Sequence, residues 1–155
     1  MPALIDHWEE QKALPPRERV VAVARWYMGT PYSRTKGRDA RALDGISGRP
    51  LRTIDCSSLV TNVFAEVFPD SFGTNTRMNT TMLESTPLFR TLGASEKPQN
   101  ADIIFWKGHV GIIVDAFTQT MLHAPHLGAS VRLQKLRNWV LSGEQPKMFR
   151  RWKTL

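Results

Sequence analysis

Residues 55–68 read DCSSLVTNVFAEVF. Apolar side chains recur along this segment at the spacing of one helical face, and Pro69 follows as a stop signal. The segment therefore predicts a helix that begins near Asp55 and buries one face. An aspartate at a helix start is suited to cap free backbone N–H groups, which puts Cys56 in the first turn. The apolar residues are Leu59, Val60, Val63, Phe64, Val67 and Phe68.

Cys56 is the only cysteine among the 155 residues, which excludes an internal disulfide and a cysteine-rich zinc site. A helix N-terminus and a neighbouring imidazolium both lower the pKa of a thiol below its usual value of about 8.5. We therefore interpret Cys56 as a nucleophile that is held as a thiolate. The alternative role for a lone cysteine is that of a small buried apolar side chain.

Two further patterns predict the fold. Upstream, apolar residues at helical spacing between Pro16 and Met28 predict an amphipathic helix. Helices followed by a meander of strands predict an α+β domain, with N-terminal helices packed on an antiparallel sheet of about five strands. The length predicts a single catalytic domain over residues 1–155. Short apolar runs separated by turns predict strands at residues 103–106, 110–114, 121–124, 131–133 and 148–152.

Two histidines fall on neighbouring predicted strands. His109 opens one strand after a Lys-Gly turn, and His123 lies on the next. An odd hairpin loop between them places both rings on one face, as direct or diagonal neighbours. We predict that His109 is the base and that His123 fixes its tautomer, because a third polar group orients the base in nucleophilic catalysis. Asp115 and His126 are the competitors for this third role.

A zinc site is the other chemical arrangement that these residues allow. It would use Cys56, His109, His123 and His126 as ligands. These residues include no closely spaced ligand pair on a regular element, as most zinc sites do. We therefore predict no metal and no other cofactor.

The chain is strongly basic, with a formal net charge of +7 and a pI near 10.1. Such a charge predicts attraction to a polyanion, which is nucleic acid, anionic lipid or a bacterial wall polymer. Arginines 34, 38, 41, 49 and 52 support a nucleic-acid or surface-binding module, but no stacking motif or recognition helix accompanies them. We therefore expect no nucleic-acid partner. No apolar run approaches the roughly 18 residues that span a bilayer, so we also expect no membrane insertion.

Four motifs occur in an order that resembles the NlpC-type papain-like cell-wall endopeptidases. They are GTPY (29–32), DCSSLV (55–60), ADIIFW (101–106) and HVGI (109–112), and the His123 strand follows them. The family-like core covers about residues 20–134. The resemblance implies a papain-like core, a catalytic triad of Cys56, His109 and His123, and cleavage of peptidoglycan stem peptides. It implies that the cleaved bond follows γ-D-glutamate and precedes a diamino acid.

The resemblance also implies residues that bind substrate. Tyr32 and Asp55 match family positions in the active-site wall that help to recognise the stem peptide. The alternative role of Tyr32 is that of a core aromatic, and the alternative role of Asp55 is that of a helix cap alone. We further predict that Ser57, beside the nucleophile, and Trp106, before the turn, contact the substrate.

Two features depart from the family pattern. Ser58 stands where the family usually has glycine, which we expect to narrow the cleft. The segment at residues 33–54 is longer and more basic than is common, and we interpret it as a loop insertion that affects which substrate is accepted.

The same triad also suits an acyltransferase or a general amidase, which is the main alternative function. The first ten residues lack a basic region followed by an apolar one, so we expect no secretory signal. A small basic wall hydrolase without that signal suits an injected effector, a phage-borne lysin or a cytoplasmic recycling enzyme. We favour the effector, delivered to the periplasm of a target cell, with an immunity protein or a secretion-system component as its protein partner.

Overall fold

The computed structural model describes residues 12–32, 54–72, 78–140 and 144–155. The segment of the predicted insertion at 33–53 and the first ten residues lie outside this range. The helices are α1 (Pro16–Trp26), α2 (Cys56–Val67), α3 (Pro69–Phe72), α4 (Thr80–Ser85) and α5 (Leu136–Val140). The strands are β1 (Phe89–Thr91), β2 (Ile103–Trp106), β3 (His109–Asp115), β4 (Thr120–His123), β5 (Arg132–Lys135) and β6 (Met148–Trp152).

Within these ranges the strands form one antiparallel sheet of six strands in the order β1-β6-β2-β3-β4-β5. The predicted α+β class and its antiparallel sheet are confirmed, with one strand more than the five expected. The additional strand is β1, whose Phe89 lies opposite Trp152 on β6. Three residues are too few to give a periodic pattern, and β1 is defined by its pairing with a strand about 60 residues later.

The α2 helix is more deeply buried than its sequence predicts. Every residue of α2 except Glu66 is buried, whereas the apolar spacing predicts one buried face. The helix packs between α1 and β3, so even its polar side chains lie inside. Thr61 and Asn62 compensate by donating hydrogen bonds of 2.8 Å to the carbonyl oxygens of Ser57 and Ser58, one helical turn earlier.

One hairpin joins β2 to β3 and a second joins β3 to β4, so β3 and β4 lie side by side. A two-residue turn joins β2 to β3, and its second residue, Gly108, has a φ of +69° that side chains rarely adopt. Across the next hairpin Ile113 lies opposite Met121, with a bulge between Ile113 and Asp115. None of the described helices is long and apolar enough to cross a membrane.

Candidate active site

The site is built around the N-terminus of α2, where Cys56 is the first helical residue and Asp55 the N-cap. An Asp55 carboxylate oxygen accepts hydrogen bonds from the Ser58 backbone N–H (2.8 Å) and from the Ser57 hydroxyl (3.2 Å). The Ser58 hydroxyl in turn accepts the Asp55 backbone N–H at 2.9 Å, which completes a capping box. The predicted cap and the predicted position of Cys56 are confirmed.

Ser58, which departs from the family pattern, therefore has a structural use. Its side chain is buried, and its hydroxyl bonds to the backbone of Asp55. The expectation that Ser58 narrows the cleft stays a prediction.

The Cys56 thiol lies where α2, α4 and β3 meet, and the residue is 9% exposed. Its Sγ lies 3.9 Å from Thr80 Oγ1 and interacts with the backbone N–H of Val110. Val110 directly follows His109, so the Cys56 thiol lies against the beginning of β3. Sequence reasoning missed Thr80, because its approach joins residues 24 positions apart and no local pattern marks it.

Burial raises the pKa of the Cys56 thiol above its ordinary value, and the nearby Asp55 carboxylate raises it further. Hydrogen bonds from Val110 and Thr80 lower it by less. The predicted resting thiolate is therefore wrong. Removing the sulfur from water disfavours its charge more than the hydrogen bonds at the helix start favour it.

The two predicted histidines are in contact. His109 Nε2 lies 2.7 Å from His123 Nδ1, and the rings meet edge to face with centroids 5.0 Å apart. Continuing the β3–β4 register from Ile113 and Met121 places His123 opposite Gly111. The two rings are thus diagonal neighbours, which is one of the two arrangements that the hairpin pattern predicts.

Gly111 makes this ring contact sterically possible. A Cβ atom at this position would lie 3.3 Å from the Cβ of His123 and 3.1 Å from Met121 Sδ. Both distances are tighter than ordinary van der Waals contact, so any side chain would push against the β4 strand. Gly111 belongs to the HVGI motif, but its role depends on the cross-strand neighbour, which the motif does not specify.

Burial keeps both rings neutral at pH 7. It lowers the pKa of His109 to about 4, although the negative charge of Glu144 acts in the opposite direction. It lowers the pKa of His123 to about 3, helped by the positive charges of His109, Arg132 and His126. His109 can therefore receive a proton on one ring nitrogen, while its other ring nitrogen, Nε2, faces His123 Nδ1.

The other predicted site residues differ in their surroundings. Asp55 and Ser57 are buried and bonded to each other, on either side of Cys56 in the chain. Tyr32 is 9% exposed, and its backbone N–H donates to the Ala129 carbonyl at 3.0 Å.

Trp106 is wholly buried, in a second apolar cluster with Ile104, Ile113 and Met121. The expectation that Trp106 contacts substrate therefore requires correction, because its ring fills the core and is closed to a ligand.

The competitors for the third role are engaged elsewhere. Asp115 accepts the Thr118 backbone N–H at 3.1 Å within the hairpin turn. His126 is exposed, with Nδ1 2.9 Å from the Leu127 carbonyl oxygen. Across the four described ranges, no three His, Cys, Asp or Glu side chains are grouped to hold a metal ion. The zinc alternative thus receives no support from these residues.

The fold and the site together define a papain-like α+β domain, with a cysteine at a helix start that contacts the strand carrying His109, and His109 pairs with His123 on the next strand. The NlpC/P60 family model matches residues 29–149. The chain therefore belongs to the NlpC/P60 family. Comparison of the sequence with curated proteins gave no match.

Three of the solved structures that are similar to this one illustrate the likeness. NlpC2 from Trichomonas vaginalis has 17% identity and a TM-score of 0.62, over 91% of this chain and 49% of that one. The peptidoglycan hydrolase RipB from Mycobacterium tuberculosis has 24% identity and a TM-score of 0.59, over 91% and 69%. The NlpC/p60 domain of the peptidoglycan hydrolase SagA has 22% identity and a TM-score of 0.54, over 88% and 97%. The chain thus spans about half of the Trichomonas protein and nearly all of the SagA domain, and these likenesses show the fold.

Proposed function

We propose that this protein is a cysteine peptidase that hydrolyses an amide bond in peptidoglycan stem peptides. Cys56 is its nucleophile, His109 its base and His123 the group that orients the base. The contact of 2.7 Å between His109 Nε2 and His123 Nδ1, at the strand end that meets the thiol, carries the proposal. With Nε2 engaged, the proton exchanged with Cys56 passes through His109 Nδ1.

The reaction starts from uncharged groups. Burial raises the pKa of Cys56 and lowers that of His109 to about 4, so thiol and imidazole are both neutral at pH 7. As Sγ attacks the scissile carbonyl carbon, its proton moves to His109 Nδ1. The resulting imidazolium is stabilised by its hydrogen bond to His123 and by the negative charge of Glu144.

The remaining steps use the same groups. The carbonyl oxygen becomes negative in the tetrahedral intermediate, and the Cys56 backbone N–H at the helix start is suited to donate to it. His109 then gives its proton to the leaving amine, which leaves an acyl group on Sγ. A water that loses a proton to His109 releases the acid product and restores the thiol.

Peptidoglycan as the substrate is supported by the family and by the wall hydrolases RipB and SagA among the similar structures. A net charge of +7 suits an anionic wall polymer. Following the resemblance, we propose the bond between γ-D-glutamate and the diamino acid as the one that is cleaved. Defined muropeptides, digested and analysed by mass spectrometry, test this choice of bond, since each possible cut gives fragments of different mass.

The test of the nucleophile and base uses purified sacculi. We expect Cys56→Ala and His109→Ala to abolish the release of stem-peptide fragments while the circular dichroism spectrum stays native. His126→Ala is the matched control, because this exposed histidine lies in the same segment of the chain and should retain full release. Undiminished release by folded Cys56→Ala protein would exclude Cys56 as the nucleophile.

The acyl group on Sγ can also pass to an amine instead of water, which gives an acyltransferase with the same site. Mass spectrometry of the products with an added amine distinguishes transfer from hydrolysis. Delivery to a target periplasm remains a proposal from the sequence. Expression with and without a periplasmic leader tests it, because a delivered wall hydrolase should be toxic only in the periplasm.

A further inference from the structure

Thr80 is the first residue of α4, and its place beside Cys56 is fixed by several contacts. Asn79 caps the helix, accepting the Met82 backbone N–H at 2.8 Å. The carbonyl of Leu83, a fully buried residue of the same helix, accepts a hydrogen bond of 2.7 Å from Arg150 on β6. These contacts hold the start of α4 against the rest of the domain.

The segment before α4 is also attached to the helix that carries the nucleophile. Thr61 on α2 lies 3.3 Å from the carbonyl oxygen of Met78, so the two segments are joined one turn beyond Cys56. Thr80 Oγ1 lies 3.9 Å from Cys56 Sγ, within the range of hydrogen bonds to sulfur. Thr80 is partly exposed, whereas Cys56 is nearly buried.

The charges around the sulfur show why this hydroxyl matters. Asp55, on the same turn, repels a thiolate, and His109 is neutral at rest because burial lowers its pKa to about 4. Glu144 acts on His109 and adds another negative charge at this end of the sheet. Apart from the imidazolium that forms once His109 takes the proton, the groups that favour a developing thiolate are neutral donors: the backbone N–H groups of Val110 and Ser57 and the Thr80 hydroxyl.

We propose that Thr80 is a further catalytic residue, whose hydroxyl donates a hydrogen bond to Cys56 Sγ as the thiol loses its proton. A hydroxyl rotates freely, so it can turn toward the sulfur when negative charge develops there. Hydrogen bonds to charged acceptors are about twice as strong as those between neutral groups, so the contact strengthens during attack. Its effect on turnover rests on the proposed function, whereas its effect on thiol ionisation does not.

Alkylation of the thiol by iodoacetamide, measured against pH, tests the proposal. Cys56 is the only cysteine, so the reaction rate of the intact protein reports this thiol alone. We expect Thr80→Val to move the alkylation profile to higher pH and to slow alkylation at pH 7 about tenfold. On stem-peptide substrate, kcat should fall by a similar factor with KM little changed. Thr80→Ser should restore both, because serine keeps the hydroxyl.

Thr81→Val is the matched control, since it makes the same substitution at the next, exposed position of α4. It should leave the alkylation profile unchanged. If Thr80→Val does not fold, Thr80→Ala gives the same comparison without a branched side chain. An alkylation profile for folded Thr80→Val or Thr80→Ala that matches wild type would overturn the proposal. If the Thr80 variants shift the alkylation profile but the wild-type protein cleaves no stem peptide, the role of Thr80 in thiol ionisation is supported and the proposed function is rejected.

Discussion

Cys56, His109 and His123 are all nearly buried, and burial opposes the charged form of each group. The thiol and both rings are therefore uncharged at pH 7. Asp55 raises the pKa of the thiol, so its carboxylate opposes thiolate formation while its oxygen caps α2. Substrate binding by Asp55 remains a prediction from the family resemblance, beside its structural use as the cap of α2.

Substitution Asp55→Asn separates capping from binding. Asparagine caps helices about as well as aspartate, so the free energy of unfolding should change by less than about 1 kcal/mol. If the carboxylate binds a charged group of the stem peptide, KM should rise on the order of tenfold. The measurements are urea denaturation and steady-state kinetics on a muropeptide. An unchanged KM would limit Asp55 to its structural role, and Asp55→Ala, which also loses the cap, gives the comparison for stability.

The buried histidines also predict how stability depends on pH. Above pH 6.5 the rings are neutral in both the folded and the unfolded chain, and they add no pH dependence. As the pH falls, the unfolded chain takes up protons at about 6.5, whereas His109 and His123 do so only near 4 and 3. The free energy of unfolding should thus decrease between pH 6.5 and 4.5, by up to about 1.4 kcal/mol per pH unit for each ring.

Thermal or urea unfolding across that interval measures this slope. His123→Gln should reduce it, and His126→Gln, at an exposed position, is the control that should not. Glu96, whose pKa is lowered to about 2 by its hydrogen bond from Arg90, contributes only below about pH 4.5. A flat profile between pH 6.5 and 4.5 would show that the rings are not buried in neutral form.

At the scale of elements, the site forms where the start of α2 meets the start of β3. The capping box fixes the helix end, and the turn at Gly108 fixes the first residue of the strand. The β3–β4 register then determines which residue lies beside His109. Gly111 is the position at which strand packing and the ring contact are coupled, because a side chain there meets His123 directly.

We expect Gly111→Ala to impair catalysis strongly, although it adds only one methyl group. The new methyl group would lie 3.3 Å from the Cβ of His123, so β4 or the ring must move. Overpacking of this kind costs about 1–3 kcal/mol of stability, and displacement of His123 weakens the orientation of His109. Activity on sacculi should fall at least about tenfold, since misplacement by about 1 Å can cost more than that.

The control for this substitution is Gly93→Ala. The nearest atom to a Cβ at position 93 is Glu96 Oε1 at 3.7 Å, an ordinary contact with a flexible side chain. This variant should retain both activity and stability. Full activity in Gly111→Ala would mean that the contact between the two rings does not depend on the space at position 111.

At the scale of the whole molecule, β6 connects the parts that build the site. It lies between β1 and β2, although it falls outside the predicted family-like core of about residues 20–134. Arg150 bonds to the carbonyl oxygens of Leu83 and Phe89, and so holds α4 and β1. Arg151 forms a bidentate pair with the fully buried Asp102 carboxylate, at 2.8 and 2.9 Å. This pair attaches the last strand to the residues that lead into β2.

Arg151→Met should destabilise the fold by about 3 kcal/mol, because the buried Asp102 carboxylate loses its bidentate partner and keeps only the more distant Arg17, at 3.9 Å. Chemical denaturation measures the loss. Arg90→Met is the control: its ion pair with Glu96 is at the surface, and its removal should change stability little. A small effect of Arg151→Met would indicate that the Asp102 carboxylate is held mainly by its neighbours, among them the Gln99 backbone N–H at 2.7 Å.

The sequence alone determined where α2 begins, that Cys56 lies in its first turn, and that His109 and His123 meet across a hairpin. These features follow from local rules, namely capping and the periods of helix and strand, which the residues themselves display. The tertiary structure decided the complete burial of α2, the pairing of β1 with β6, the raised pKa of Cys56, and the approach of Thr80. Each of these depends on residues distant in the chain, whose packing removes groups from water in a way that no local pattern records.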